Sequence, residues 1–247
     1  MKQKSLCGSV HESRLDSIIE SLRNDLSTLP SDDSALAYSG GLDSTILMAL
    51  SDFRFPAYTV GFSDSKDIAS SRRMSDLMGF KVNEIVLDHM NTSDLFMEIR
   101  KVDPEIDTRD IGYEAVLLSV LKSADQKYIV TGQGADEFFY GYQKYERDPG
   151  LSNMPDIEKL KNITAPRENR LSDSYGKKIV VPYMNQDVID IALNIPRDSH
   201  INKDGRKIIL RSIAKRLGLP DEVVNLRKTA AQYGSGLQKV VRKTSGS

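Results

Sequence analysis

The sequence predicts an α/β fold, a doubly wound parallel sheet with a helical C-terminal extension. Short apolar segments alternate with helical patterns over roughly the first 140 residues, which is typical of crossover units in a parallel sheet. Beyond that point the strand signal fades and helical patterns continue. The chain has 247 residues, 39% hydrophobic and 28% charged, which is enough for one large domain with an appendage.

The predicted elements follow one another in a regular order. An amphipathic helix opens the chain, because apolar residues recur at helical spacing from Leu15 to Leu26. Strands are predicted over residues 35–38, 57–62, 82–87 and 127–132, and helices between and after them over 44–53, 67–79, 93–102 and 112–124. Further helices are predicted over residues 186–195, 205–218 and 221–226.

This pattern divides the chain into three parts. Residues 1–30 form an N-terminal helix, 31–146 an α/β domain, and 147–247 a helical extension with a basic C-terminal segment. Residues 201–247 carry 11 Lys and Arg against 3 acids, although the whole chain has a net charge of −1. This asymmetry is compatible with a nucleic-acid surface, a lid over a polyphosphate, or solvated helix faces.

Composition excludes several classes of protein. The sequence has no apolar run of about 18 residues and no signal-peptide centre, so we expect a cytoplasmic protein without a membrane span. A single cysteine, Cys7, excludes an internal disulfide framework and thiolate-rich zinc sites. The three histidines, His11, His89 and His200, lie far apart, and we expect surface or capping positions for them.

The segment ALAYSGGLDSTILMAL, residues 35–50, predicts an anion site. A strand runs through Ser39, Gly40 and Gly41 directly into a helix, so consecutive backbone N–H groups meet at a helix N-terminus. Glycines allow the backbone to approach a phosphate. The segment is not the nucleotide loop GxxxxGK[ST], because no lysine follows the second glycine.

The carboxylate of Asp43 in this turn implies that a cation binds together with the phosphate. A carboxylate among phosphate-binding amides repels the ligand unless a cation lies between them, and Mg²⁺ bound by carboxylate and phosphate oxygens fits. Ser39 and Ser44 are candidate phosphate donors, although a serine at a helix start is often only a cap. The structural alternative is a glycine turn with an aspartate near a helix N-terminus.

A second motif, TGQGADEFFYGY at residues 131–142, establishes a resemblance to a known family. Together with the first motif, and with residues 177–196 and 205–228, it resembles the synthase domain of asparagine synthetases. That domain belongs to the ATP pyrophosphatase superfamily and is shared with the β-lactam-forming synthetases. The four segments occur in the family's order over about residues 15–240, and they imply an adenine nucleotide α-hydrolase-like fold.

The resemblance implies roles for individual residues. Asp43 and Asp136 match the family's Mg²⁺ ligands, which would hold metal against the departing pyrophosphate. Glu137 adds to this site or caps the following helix. Lys228 matches the active-site lysine that stabilises oxyanions, with Arg227 adjacent in an uncertain register. The alternative for this basic segment is a frayed tail with solvated charges.

Further positions match the nucleotide site of the family. Val60 and Gly61 occupy the place of the backbone that holds adenine, as any buried strand would. Gly132 and Thr131 belong to the second loop, with Thr131 a candidate phosphate donor. Lys207 and the arginine one turn later, Arg211, face either the pyrophosphate or water.

Two departures from the family bear on the substrates. Only 34 residues precede the first strand and Cys7 is internal, so we expect no glutaminase domain, and nitrogen then comes from ammonia, an amine substrate or a separate glutaminase subunit. Gln133 stands where asparagine synthetases carry a glutamate and the β-lactam-forming relatives a tyrosine. An amide cannot act as a base, so the acceptor of the acyl group need not be that of asparagine synthetase.

These observations favour an ATP- and Mg²⁺-dependent ligase that adenylates a small carboxylic acid and forms an amide. One alternative is a superfamily enzyme that modifies tRNA or makes a nucleotide, although the acidic pI near 6.3 makes a nucleic-acid partner less expected. Another is a nucleotide-binding regulatory protein with weakened catalysis, which Gln133 would explain. The sequence leaves the acyl substrate, the nitrogen donor and the oligomeric state open, a homo-oligomer included.

Overall fold

A computed structural model of the chain describes residues 2–203, 205–226 and 231–245. Within these residues five strands form one sheet, and they are β1 (Ser34–Ala37), β2 (Ala57–Gly61), β3 (Val82–Val86), β4 (Tyr128–Val130) and β5 (Lys178–Val180). Their order across the sheet is β3-β2-β1-β4-β5, and every neighbouring pair is parallel. The α/β fold class predicted from the sequence is confirmed.

Helices surround this sheet. They are α1 (Lys2–Ser27), α2 (Leu42–Leu50), α3 (Lys66–Met78), α4 (His89–Val102), α5 (Thr108–Ser123), α6 (Ala135–Phe138), α7 (Lys144–Arg147), α8 (Met154–Lys159), α9 (Ala165–Asp173), α10 (Gln186–Leu193), α11 (Arg197–His200), α12 (Ile208–Arg216), α13 (Asp221–Val224), α14 (Ala231–Gly234) and α15 (Leu237–Ser245). A π-helical turn at Leu160–Thr164 joins α8 to α9, and a 3₁₀ turn at Pro182–Met184 follows β5.

Local sequence signals set the ends of several helices. The Ser65 hydroxyl accepts a hydrogen bond from the backbone N–H of Ile68 and caps α3, which ends at Gly79 in the left-handed conformation with φ 73°. The Asp107 carboxylate accepts from the Arg109 N–H at 2.7 Å and caps α5. These short polar residues therefore fix where the crossover helices begin and end.

The core lies on both faces of the sheet. Leu36 of β1 packs into one hydrophobic cluster with α1, α2 and α12, whereas its neighbour Ala35 packs into another with α4, α5 and α15. Adjacent strand residues point to opposite faces, so helices cover both sides, as a doubly wound sheet requires. The amphipathic face predicted for the first helix is buried, from Leu15 to Leu26.

One expectation from the sequence is wrong and another is met in part. β5 lies in the segment predicted to be a helical extension, because a three-residue strand at the sheet edge is too short to give a periodic signal. His200 is fully buried, so the surface alternative is wrong for it, whereas its Nε2 lies 3.1 Å from the carbonyl of Ala192 in the last turn of α10, as the capping alternative expects. None of the helices in the described part of the chain combines the length and the hydropathy that a membrane span needs.

Candidate active site

The candidate active site lies where β1 and β4 end. These strands are neighbours, yet the chain leaves β1 towards β2 on one side of the sheet and β4 towards β5 on the other. Such a reversal opens a crevice at the carboxyl ends of the strands, where open α/β sheets bind their ligands. The loops that line this crevice, residues 38–41 and 131–134, belong to the two sequence motifs.

The loop after β1 is held tightly against α3. Gly40 has φ 67°, and a Cβ at this position would overlap the backbone of Ser70 and Ser71. The Ser70 hydroxyl also donates a hydrogen bond to the Gly40 carbonyl at 2.9 Å. Gly41 is the N-cap of α2 and offers no side-chain acceptor, so the first-turn N–H groups resemble those of an anion site.

The serines of this loop lie close to each other. The hydroxyls of Ser39 and Ser44 are 3.4 Å apart, and the Ser44 hydroxyl donates to the Gly41 carbonyl at 3.2 Å. Ser44 therefore bonds within the helix start, as a capping residue does. Both serines also line the crevice, so the proposed role as phosphate donors stays a prediction.

The loop after β4 brings a second carboxylate to the first. Gly134 has φ 88° and is the N-cap of the short helix α6, which carries Asp136 in its first turn. Gly132 lies against Asp43, where a Cβ would already be 3.4 Å from the Asp43 Cβ. The Thr131 N–H donates to the Val180 carbonyl at 2.9 Å and ties the loop to β5.

Lys207 joins the two carboxylates. Its Nζ lies 2.6 Å from Asp43 Oδ2 and 2.7 Å from Asp136 Oδ1, and the residue is only 3% exposed. The backbone at Lys207 is left-handed, with φ 57° and ψ 36°. Gly141 makes room for this contact, because a Cβ there would overlap both the Asp136 carboxylate and the Lys207 side chain. The sequence left two alternatives for Lys207, facing the pyrophosphate or facing water. Its burial shows that it does not face water.

The two carboxylates fit a magnesium ion. Oxygens of Asp43 and Asp136 converge on one cationic atom at 2.6 and 2.7 Å, although they come from different loops. Mg²⁺ typically takes one or two carboxylates and completes its shell with water and phosphate oxygens. The described residues contain no group of three or more His, Cys, Asp or Glu side chains able to hold a metal by themselves. This donor set therefore suits a metal that arrives with a phosphate ligand.

A small cavity of about 80 Å³ lies beside the glycine turn and is suited to phosphate. Its polar and charged lining comes from Ser39, Asp43, Lys66, Asp67, Ser70, Lys207 and Arg211. Arg211 also has a structural role, because its guanidinium donates to the carbonyls of Val224 and of Leu226, the latter at 2.9 Å. It therefore supports the chain that leads to residue 227.

A larger cavity of about 770 Å³ adjoins the same carboxylates. Val60 and Tyr58 of β2 form an apolar wall with Val116 and Val120 of α5, which suits a planar base. Gly61 lies behind this wall, where a Cβ would overlap the Ser65 side chain. The cavity is therefore lined by apolar residues beside Val60 and by polar residues around Gln133, and these two parts are called its apolar end and its polar end.

Gln133 pairs with a carboxyl that the sequence did not indicate. Its Nε2 donates a hydrogen bond to Glu168 Oε1 at 2.8 Å, and Glu168 is 2% exposed. Burial, and next the nearby charge of Glu114, raise the pKa of Glu168 well above its usual value. Glu168 is therefore protonated more readily than a free carboxyl, and its contact with Gln133 makes it a candidate for proton transfer.

Glu168 belongs to a buried ionic cluster around Arg167. The Arg167 guanidinium donates to Glu114 Oε1 from Nε at 2.8 Å and to Asp103 Oδ2 at 3.0 Å. Burial raises the pKa of Glu114 to about 7 against the opposing effect of Arg167. The sequence contains one local signal for this site, Pro166, just after the π-helical turn. Proline inside a helix distorts the hydrogen-bond ladder, and π-helical turns often occur at functional sites.

Tyrosines complete the polar end of the cavity. Burial, and then the charge of Glu168, raise the pKa of Tyr113 well above its usual value, so its hydroxyl remains a donor. The Tyr142 hydroxyl donates to the Glu137 carboxylate, and both residues line the cavity. Glu137 therefore faces the site and is not only a helix cap.

Lys228 and Arg227 lie outside the described residues. The chain on either side of them contacts the site, since Leu226 lines the small cavity and Tyr233 the large one. Ser235 accepts a hydrogen bond from the Phe62 N–H at 3.1 Å, which holds this part of the chain against the loop after β2. The role predicted for Lys228 stays a prediction.

Comparison with known proteins agrees with the sequence motifs. A family model described as asparagine synthase matches residues 34–177 and 156–244. A protein of Methanocaldococcus jannaschii, named provisionally as asparagine synthetase 1 (glutamine-hydrolyzing), is 25% identical over 84% of this chain and 46% of its own length. The glutamine-hydrolyzing asparagine synthetases of Rattus norvegicus and Homo sapiens are each 24% identical, over 79% of this chain and 38% of theirs.

The chain thus spans less than half the length of these curated relatives. Among solved structures, the NMN synthetase from Francisella tularensis aligns over 96% of this chain and 86% of its own, with 10% identity and a TM-score of 0.47.

Proposed function

This chain belongs to the asparagine synthase family, and from that premise we propose that it activates a carboxylate with ATP and then forms an amide. A carboxylate oxygen of the substrate attacks the α-phosphorus of ATP, the α-β bond breaks, and pyrophosphate leaves. A nitrogen nucleophile then attacks the acyl carbon, and AMP leaves with the bonding electron pair. The products are an amide, AMP and pyrophosphate.

One observation carries this proposal, the convergence of Asp43 and Asp136 on a single point beside the glycine turn. Mg²⁺ bound by these carboxylates would neutralise charge on the pyrophosphate as it departs. The turn at Ser39, Gly40 and Gly41 would hold phosphate oxygens through backbone N–H groups.

The rest of the site supports the assignment of the two substrates. The apolar wall at Val60 suits adenine, and the polar end beyond Gln133 would take the acyl substrate and the nitrogen donor. Glu168 is the carboxyl in contact with Gln133, and we assign it the proton that the nitrogen loses. We carry the oxyanion-stabilising role of the family's lysine over to Lys228.

The identity of the nitrogen donor is part of the proposal. Gln133 is neutral and offers no carboxylate that would hold an ammonium ion in the site, so we propose an amine substrate, or nitrogen delivered by a separate glutaminase subunit, in preference to free ammonia. Because ATP is the proposed substrate, we propose the cytoplasm as its compartment.

Labelled carboxylic acids test this function directly. The protein is incubated with ATP, Mg²⁺ and a panel of acids labelled with ¹⁸O in the carboxylate, with and without amines, and AMP is examined by mass spectrometry. The proposal expects one ¹⁸O atom in AMP together with pyrophosphate release for at least one acid. Formation of ADP and phosphate, or AMP without label in every case, would contradict it.

A further inference from the structure

The contact between Lys207 and the two carboxylates has a consequence for metal binding. Oxygens of Asp43 and Asp136 both lie within 2.7 Å of the Lys207 Nζ, so they are at most about 5.3 Å apart. A divalent ion that bound both oxygens would lie within a few ångströms of this ammonium group. Two cations so close in a buried site repel each other strongly, because little water screens them.

The small cavity offers the Lys207 ammonium an alternative position. The Lys207 side chain lines this cavity beside the glycine turn as well as contacting the carboxylates, and Lys66 and Arg211 line the same cavity. A lysine has a flexible four-carbon stem, so its ammonium can move while its backbone stays fixed. Phosphate oxygens in that cavity would accept the displaced ammonium, which otherwise loses both of its ionic partners.

We propose that Lys207 is a resident counterion that metal must displace, so that metal binds weakly alone and tightly together with the triphosphate. This inference rests on the proposed function for the identity of the second ligand. Metal and nucleotide then each strengthen the binding of the other. Phosphate oxygens accept the ammonium that the metal displaces, and the metal removes the repulsion between the phosphate and the two carboxylates. The protein would therefore not hold its metal between catalytic cycles.

Manganese binding to the full chain without nucleotide tests the proposal. Mn²⁺ is titrated into the wild type, Lys207→Met, Lys207→Arg and the solvent-facing control Lys215→Met, and free Mn²⁺ is followed by electron paramagnetic resonance. We expect Lys207→Met to bind Mn²⁺ about tenfold more tightly or better, since a neighbouring unit charge acts strongly at an effective dielectric constant of about 20. Lys207→Arg and Lys215→Met should bind as weakly as the wild type. Equal or weaker binding by Lys207→Met would overturn the proposal.

Two further measurements keep the test decisive. Asp43→Asn added to Lys207→Met should abolish the tighter binding, and its survival would place the metal elsewhere and refute the exchange. In thermal unfolding, Lys207→Met should be less stable than the wild type without metal, and Mn²⁺ should restore it while changing the wild type little. Neither readout needs turnover. If Mn²⁺ binding and thermal unfolding give the expected results but no pyrophosphate is released, only the proposed function is contradicted.

Discussion

The side-chain amide of Gln133 donates a hydrogen bond of 2.8 Å to the buried carboxyl of Glu168. Gln133, the loop residue that most separates this chain from the enzymes it resembles, therefore has its hydrogen-bond partner on helix α9. An amide is a suitable neighbour for a buried acid, because it donates a hydrogen bond without adding a second negative charge.

This pairing predicts that Glu168→Gln separates the two half-reactions. Pyrophosphate release and ¹⁸O transfer to AMP should remain, whereas amide formation should fall by about 10²- to 10⁴-fold, the usual contribution of a general base. Both are measured in one reaction with the acid and amine found active. The exposed Glu158→Gln is the control. Equal loss of both half-reactions would instead indicate a structural role for Glu168.

A second prediction concerns the nitrogen donor. With aspartate, ATP, Mg²⁺ and ammonium, we expect little or no asparagine from the wild type, because position 133 offers no carboxylate to hold the ammonium ion. Gln133→Glu should raise the rate, and the exposed Gln143→Glu should not. Asparagine is detected by mass spectrometry. Robust formation by the wild type with no gain from Gln133→Glu would show that this interpretation of Gln133 is wrong.

The pKa of Glu114 predicts how stability depends on pH. Burial raises this pKa from its ordinary 4.5 to about 7, so the folded state binds a proton more tightly than the unfolded state. The proton on Glu114 therefore stabilises the folded state. This stabilisation is complete below about pH 4.5 and is lost as the pH rises through about 7, which lowers the free energy of unfolding by an amount on the order of 3 kcal/mol. The free energy of unfolding should fall over this interval, and Glu114→Gln should reduce the fall. Urea unfolding at pH 5, 6, 7 and 8 checks it, and identical slopes for both proteins would contradict it.

The two strand-end carboxylates carry the fourth prediction. Asp43→Asn or Asp136→Asn should reduce pyrophosphate release by about a hundredfold or more, the cost of an electrostatic contact made in the transition state. Circular dichroism should show an intact fold, since Asn keeps the shape of Asp. Asp16→Asn, in an exposed ion pair with Arg216, is the matched control. Turnover at the wild-type rate by both site variants would remove the metal assignment.

Much of this site could be predicted from the sequence because its loops follow strands with clear patterns. Asp43 and Asp136 each come a few residues after a strand, and the carboxyl ends of parallel strands meet at one edge. Glu168 could not be predicted in this way, because its place depends on a π-helical turn and on packing between α9 and α5. The burial of Lys207 likewise depends on its own left-handed backbone at the N-cap of α12, which no periodicity in the sequence indicates.

Gly141 provides the last prediction, because it tests the geometry of the site without altering its charges. A Cβ at this position would overlap the Asp136 carboxylate and the Lys207 side chain, and both are held by short ion contacts. Gly141→Ala should therefore push Asp136 away from Asp43 and reduce pyrophosphate release by about tenfold or more, since displacements near 1 Å can cost about a hundredfold. Gly150→Ala, in a surface loop, should leave the rate unchanged. If the helix content by circular dichroism is preserved and Gly141→Ala retains wild-type activity, the close approach of these three residues is not needed for catalysis.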